Sequence, residues 1–166
     1  MNLRGVVVAT ATMLATVCAG EAHEIYISNE KDNTVSVIDS KTMDVVRTVK
    51  VGARPRGITF SRDQSVYFVC ASDADAVQVY DATTDTKLHD LPSGSDPEQF
   101  VLSNDGKRLF IANEDNAVTT IVDVEKRQVI KQIDVGVEPE GMAVSPDDRF
   151  SVTTSETTNM AHIIDT

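Results

Sequence analysis

The sequence has no tryptophan, an aromatic content of only 5 %, and two cysteines in 166 residues. A core anchored on large aromatic rings is therefore excluded, and the interior has to be aliphatic, built on Val and Ile. Both are β-branched and favour strands. A disulfide-stapled scaffold is excluded as well, because Cys18 lies in an apolar leader and Cys70 is then alone. Basic charge is scarce: 15 Lys and Arg face 26 Asp and Glu, a net charge of −11. Nucleic-acid binding needs a basic footprint to displace counterions from phosphates. Anionic lipid headgroups would likewise repel this chain. Neither partner is expected, and solubility is the simplest use of the charge.

Three histidines, His23, His89 and His162, do not cluster in sequence. No Cys-x-x-Cys-His haem attachment, zinc triad or Gly-x-G-x-x-Gly phosphate loop is present. No cofactor and no metal are assigned from the sequence. A catalytic thiol at Cys70 lacks a basic neighbour, so a small buried hydrophobe in the strand Val66–Cys70 is the expectation.

Residues 1–22 have the layout of a secretory signal peptide. Arg4 gives a positive start, Gly5 to Val17 is apolar, and small residues follow. The apolar stretch is too short to span a bilayer. Cleavage after Ala22 fits Gly20 and Ala22, with cleavage after Ala19 as the rival. A lipid anchor at Cys18 is disfavoured by Val17 and Ala15. The expected location is periplasmic or secreted, with no membrane span.

The remainder is repetitive. Asp39, Asp81, Asp123 and Asp165 recur every 42 residues, as do Gly52, Gly94 and Gly136, and Pro55, Pro97 and Pro139. Ser61, Ser103 and Ser145 keep the same register, and so do Asp63, Asp105 and Asp147. One period contains four short strands: Glu98–Leu102, Arg108–Asn113, Val118–Asp123 and Gln128–Val135, separated by turn residues such as Ser103-Asn104-Asp105-Gly106. Four strands in a repeat of this length is the signature of a β-propeller blade, so the fold class is all-β, a propeller of four-stranded antiparallel blades, incomplete in this chain.

The repeat resembles the YVTN family of propeller repeats. The matching segments are Tyr26-Ile27-Ser28-Asn29, Thr34 to Asp39, Val49-Lys50-Val51-Gly52 and Arg54-Pro55-Arg56-Gly57. Later copies are Phe110-Ile111-Ala112-Asn113, Val135-Gly136, Glu138-Pro139-Glu140-Gly141 and Ser145-Pro146-Asp147-Asp148. Among such proteins it looks most like the secreted bacterial propellers associated with quinone-cofactor (PQQ) dependent alcohol catabolism. The resemblance implies a scaffold of about seven blades and is weak for function, since a propeller has many uses.

In that family Pro-x-Gly leads into the innermost strand. The expected organisation is a leader at 1–22, then three outer strands of blade 1 (24–51), blade 2 (55–93), blade 3 (97–135) and three inner strands of blade 4 (139–166). The chain thus reads as the N-terminal portion of a longer protein with open strand edges, prone to association. A two-chain propeller is the weaker alternative, because blade 1 wants an inner strand and blade 4 an outer one.

Function is sought where the repeats differ. The positions flanking each Pro read Arg54 and Arg56, then Asp96 and Glu98, then Glu138 and Glu140. They are expected at the mouth of the central channel, where a basic sector and two acidic sectors could grip a polar ligand. Arg54 and Arg56 could hold a carboxylate. Nearby loops add Glu30, Asp32, Asp73, Asp75, Glu114, Asp115 and Glu156, but a calcium site needs about six to eight converging oxygens, and these acids are expected to stay solvated on separate blades. The invariant aspartates are expected to close turns.

Two functions follow. One is a non-catalytic binding or scaffold module for a small molecule or a periplasmic redox or transport partner. The other is a lactonase-like hydrolase with Glu98 and Glu140 as its acid–base pair. A purely structural surface-layer module is a third reading.

Overall fold

The computed structural model describes residues 23–166; the leader expected at 1–22 lies outside them. Fourteen strands form four antiparallel sheets. Sheet one contains β1 (Glu24–Asn29), β2 (Thr34–Asp39) and β3 (Val45–Lys50). Sheet two contains β4 (Pro55–Phe60), β5 (Val66–Ala71), β6 (Ala76–Asp81) and β7 (Lys87–Pro92). Sheet three contains β8 (Pro97–Leu102), β9 (Arg108–Asn113), β10 (Val118–Asp123) and β11 (Gln128–Asp134). Sheet four contains β12 (Pro139–Val144), β13 (Phe150–Ser155) and β14 (Met160–Asp165). Within each sheet neighbours in sequence are neighbours in space, so every sheet is a meander of hairpins. The inner strands β4, β8 and β12 lie side by side, which makes the sheets propeller blades.

The core lies between blades, and period-two alternation builds it. On β5, Phe68 and Cys70 face blade 3, where they meet Phe100, Leu102, Leu109, Ile111 and Val122. Tyr67 and Val69, one residue out of phase, face Val35, Val37 and Val49 of blade 1. Each of these faces is apolar because each blade is sandwiched. Cys70 is fully buried, and burial pushes its thiol well above the usual range, which makes it an inert packing residue. The few aromatic rings concentrate at the blade 1–blade 2 contact, where Tyr67 stacks on Tyr80 at 5.1 Å and Tyr26 meets Phe60 edge-on at 4.9 Å.

The recurring aspartates close turns. Asp81 Oδ1 accepts the backbone N–H groups of Thr83 and Thr84, and Asp39 Oδ1 those of Lys41 and Thr42. Asp63, Asp105 and Asp147 each accept from the hydroxyl two residues earlier, of Ser61, Ser103 and Ser145. The recurring glycines permit close approach between blades. A Cβ on Gly52 would lie 2.7 Å from Ala71 Cβ and 2.8 Å from Gln78 Nε2. Its N–H donates to Gln78 Oε1 at 2.7 Å. Gly136 N–H donates in the same way to His162 Nε2 at 2.8 Å, so His162 does for blade 4 what Gln78 does for blade 2.

Two irregularities repeat with the period and shape one face. Pairing between the first and second strands of a blade skips residues 56–57 in β4, 98–99 in β8 and 140 in β12. Arg56, Glu98 and Glu140 therefore sit on bulges, where a side chain is released from the ladder's alternation. Just before them, Arg54, Asp96 and Glu138 adopt φ of 51°, 51° and 56°. A residue preceding proline is ordinarily extended, so this left-handed turn is held by its surroundings. Arg54 N–H donates to Asn33 Oδ1 at 3.0 Å and Asp96 N–H to Asp75 Oδ1 at 2.9 Å.

Candidate functional site

Three position classes meet at one face of the disc. The first two are the residues flanking each Pro. The third is the start of the loop between second and third strands, occupied by Glu30, Ser72, Glu114 and Glu156. A repeated backbone bond brings that loop onto the turn. Ser72 N–H donates to the Arg54 carbonyl, Glu114 N–H to that of Asp96, and Glu156 N–H to that of Glu138, at 2.9 to 3.1 Å. The bulges then turn Arg56, Glu98 and Glu140 into the space between.

The result is a polar cluster that crosses blades 1 to 3. Arg54 lies 3.3 Å from Asp96, 3.4 Å from Asp73 and 3.5 Å from both Glu30 and Glu98. Arg56 binds Glu30 at 3.0 Å and makes a two-pronged ion pair with Glu98 Oε2 through its Nε and Nη2. The expectation that these arginines hold a ligand carboxylate is thus modified: carboxylates of the chain itself occupy both guanidiniums. Planar, multi-donor guanidinium is suited to such a hub.

Glu98 is the most confined member, 1 % exposed. Burial pushes its carboxyl up to about 7; Arg56 pulls it down, while the neighbouring Glu140 and a contact with the Glu114 carboxyl push it further up. Glu140 is raised too, mainly by burial, with Arg56 opposing and Glu114, Glu156 and Glu138 reinforcing. Glu30, at the rim, is lowered by its bond to Arg56. Glu138 stands apart from the arginines and accepts the Thr157 hydroxyl. The structure accordingly brings five of the six sequence candidates together around Arg56 and places Glu138 at the edge.

Of the loop acids, Asp32, Asp73, Asp75, Asp115 and Glu156 are exposed as expected, whereas Glu114 is drawn in beside the residues flanking Pro97. Asp96, Glu98 and Glu114 bring one carboxylate oxygen each to within 4.8 Å of one another. They converge because all three belong to blade 3 and the Glu114–Asp96 backbone bond closes the loop onto the turn. The signal available in the sequence was the repeat register of Glu30, Ser72, Glu114 and Glu156, which puts an acid on this face in every blade but the second.

Residues 62–166, more than half of the chain, match the family described as the cytochrome D1 heme domain. The chain belongs to this family. Among solved structures, this D1-type chain is similar to the hydrazine synthase of Kuenenia stuttgartiensis, with a TM-score of 0.77 and 23 % identity. The match covers 86 % of this chain and 42 % of that one, so the D1-type chain spans less than half of the protein it resembles. At that identity the likeness shows the propeller fold alone. No curated protein matches the D1-type chain. Among its described residues no helix is long and apolar enough to cross a membrane.

Proposed function

We propose that this chain is part of a non-catalytic periplasmic or secreted propeller that serves as a binding module, with its channel mouth as the recognition face. The observation that carries this reading is the Arg56–Glu98 hub. Its charges come from separate blades at positions the scaffold leaves free, and they are locked to one another. Such a cluster is a rigid, net-acidic platform suited to a cationic or polyhydroxylated small molecule, or to the basic patch of a redox or transport partner. The resemblance to PQQ-associated propellers supports a place beside quinoprotein alcohol catabolism, and the signal-like residues 1–22 support export.

The family's name refers to a heme, whose iron takes axial His, Cys, Met or Tyr ligands. Among the described residues no histidine, cysteine or tyrosine is free at the mouth to serve that group. His162 Nε2 is committed to Gly136 N–H, His89 is on the fourth strand of blade 2, and His23 lies at the opposite face beside Phe60 and Gln64. Cys70 is in the core, and Tyr26, Tyr67 and Tyr80 form the aromatic contact between blades 1 and 2. Both mouth arginines, the natural partners of porphyrin carboxylates, are already neutralised.

The hydrolase reading draws support from Glu98, whose titration near neutrality suits acid–base work. Against it, the Glu98 side chain is 2 % exposed and braced on Arg56, which leaves no room beside it for a ring the size of a lactone. Base uptake at constant pH by the mature chain, with aliphatic and aromatic lactones, tests the proposal. No turnover above buffer is expected. A rate that disappears in both Glu98→Gln and Glu140→Gln overturns it.

A further inference from the structure

We infer that Asp96, Glu98 and Glu114 form a binding site for a hard divalent cation, calcium above all, on the blade 3 side of the mouth. Three observations converge on this site, beginning with geometry: one oxygen from each carboxylate lies within 4.8 Å of the other two. Oxygens bound to a common ion at about 2.3–2.6 Å lie up to about 5 Å apart, so these three are within the span of one shell and small side-chain rotations close it.

The second observation is the division of labour within the buried carboxylates. Asp96 gives Oδ2 to Arg54, and Glu98 gives Oε2 to Arg56. Their other oxygens, Asp96 Oδ1 and Glu98 Oε1, are buried and have no hydrogen-bond partner. Arg54 Nη2 approaches Glu98 Oε1 only to 3.5 Å, too far for a good bond. The two residues are 7 % and 1 % exposed, and buried carboxylate oxygens without a partner are costly. A cation between them satisfies both.

The third observation is rigidity and charge. Asp96 is fixed by its left-handed turn and by Asp75, and Glu114 by its backbone bond to Asp96. The ligands are therefore preorganised on opposite sides of one turn. Six carboxylates, of Glu30, Asp73, Asp96, Glu98, Glu114 and Glu140, surround only two guanidiniums, so the local field favours a cation despite them. An all-oxygen donor set selects calcium, magnesium or manganese over zinc or copper. Calcium's tolerance of irregular geometry suits carboxylates that already serve arginines, and waters fill the open rim. The site does not depend on what else the mouth recognises, nor on whether the propeller is catalytic.

The test uses the purified mature chain, stripped with a chelator and dialysed, then titrated with CaCl₂, MgCl₂ and MnCl₂ by calorimetry and by thermal melting. Saturable uptake of one calcium per chain with a rise in melting temperature is expected. Glu114→Gln should lose both, while its metal-free melting temperature does not fall, because the Glu114 side chain braces neither arginine. Asp115→Asn, a neighbouring exposed acid, should keep both. Absence of saturable binding for all three ions overturns the inference, leaving a shared proton between Glu98 and Glu114 as what relieves their contact. Equal binding by Glu114→Gln and the parent chain overturns it as well, because the effect is then general counterion attraction.

Discussion

Substituting Gly52 and Gly106 by alanine separates two uses of glycine in this chain, close approach at a recurring position and a left-handed turn at a position that is Gln64 and Asp148 in the other repeats. Gly52 has open backbone conformations available, but its Cβ would meet Ala71 Cβ at 2.7 Å and the Gln78 amide at 2.8 to 2.9 Å. Ala71 is fully buried in β5 and has nowhere to go. Displacing Gln78 instead breaks the bond from Gly52 N–H and the one from Tyr80 Oη, both 2.7 Å and both accepted by Gln78 Oε1. Overpacking costs about 1–3 kcal/mol, and each buried donor left without its acceptor costs about 1–3 kcal/mol more. The expected loss for Gly52→Ala is then about 3–5 kcal/mol, near the upper end for single substitutions. Gly106 presents the opposite case. It has φ of +74°, yet its nearest obstacle is Arg62 Cγ at 3.9 Å. Gly106→Ala should cost about 1–2 kcal/mol of backbone strain alone. Urea unfolding followed by far-ultraviolet circular dichroism measures both. If Gly52→Ala proves no more damaging than Gly106→Ala, the stitching of each blade to the next through this glycine is not a significant source of stability.

Three further outcomes follow from the same geometry. Arg56→Met strands the Glu98 carboxylate in a buried site and should destabilise by about 3–5 kcal/mol, while adding Glu98→Gln to it should restore much of the loss; equal stability of the single and double variants would refute the hub. His162→Gln should match the parent in stability, because Gln78 performs the same task two repeats earlier, whereas His162→Leu should lose about 1 kcal/mol by urea unfolding. Cys70 should not react with a thiol reagent in the folded chain and should react fully in denaturant; rapid labelling of the native chain would contradict its place in the blade 2–blade 3 core.

How much of this was legible beforehand depended on whether the cause was local. The strands at Arg108–Asn113 and Val118–Asp123 follow from alternation and from the turn residues around them, so they fall where the sequence puts them. Asp81 and Asp105 close turns through groups two and three residues away, and period alone identifies that work. Arg54 shows where local rules fail. Arg-Pro predicts an extended residue, but Asn33 on the preceding blade's loop holds it left-handed. The bulges under Arg56 and Glu98 are equally invisible, since a skipped pair leaves the 42-residue period intact. That the mouth arginines are occupied by the chain's own acids is set by how one blade rotates against the next. Glu30, Arg56 and Glu98 come from three consecutive blades, and no spacing in the sequence measures that angle.

The skipped pairs have a consequence for how such a chain can diverge. Residues 56, 98 and 140 are exempt from the hydrogen-bond ladder, and their side chains leave the sandwiched faces that hold the blades together. Compensated exchange at these positions, in which facing charges change together, alters the electrostatics of the mouth without breaking the ladder. The repeat thus resembles a frame with interchangeable tiles. Duplication multiplies the frame, and each copy's tile is then free to drift toward a different ligand, which is how one blade comes to carry arginine where the next two carry glutamate.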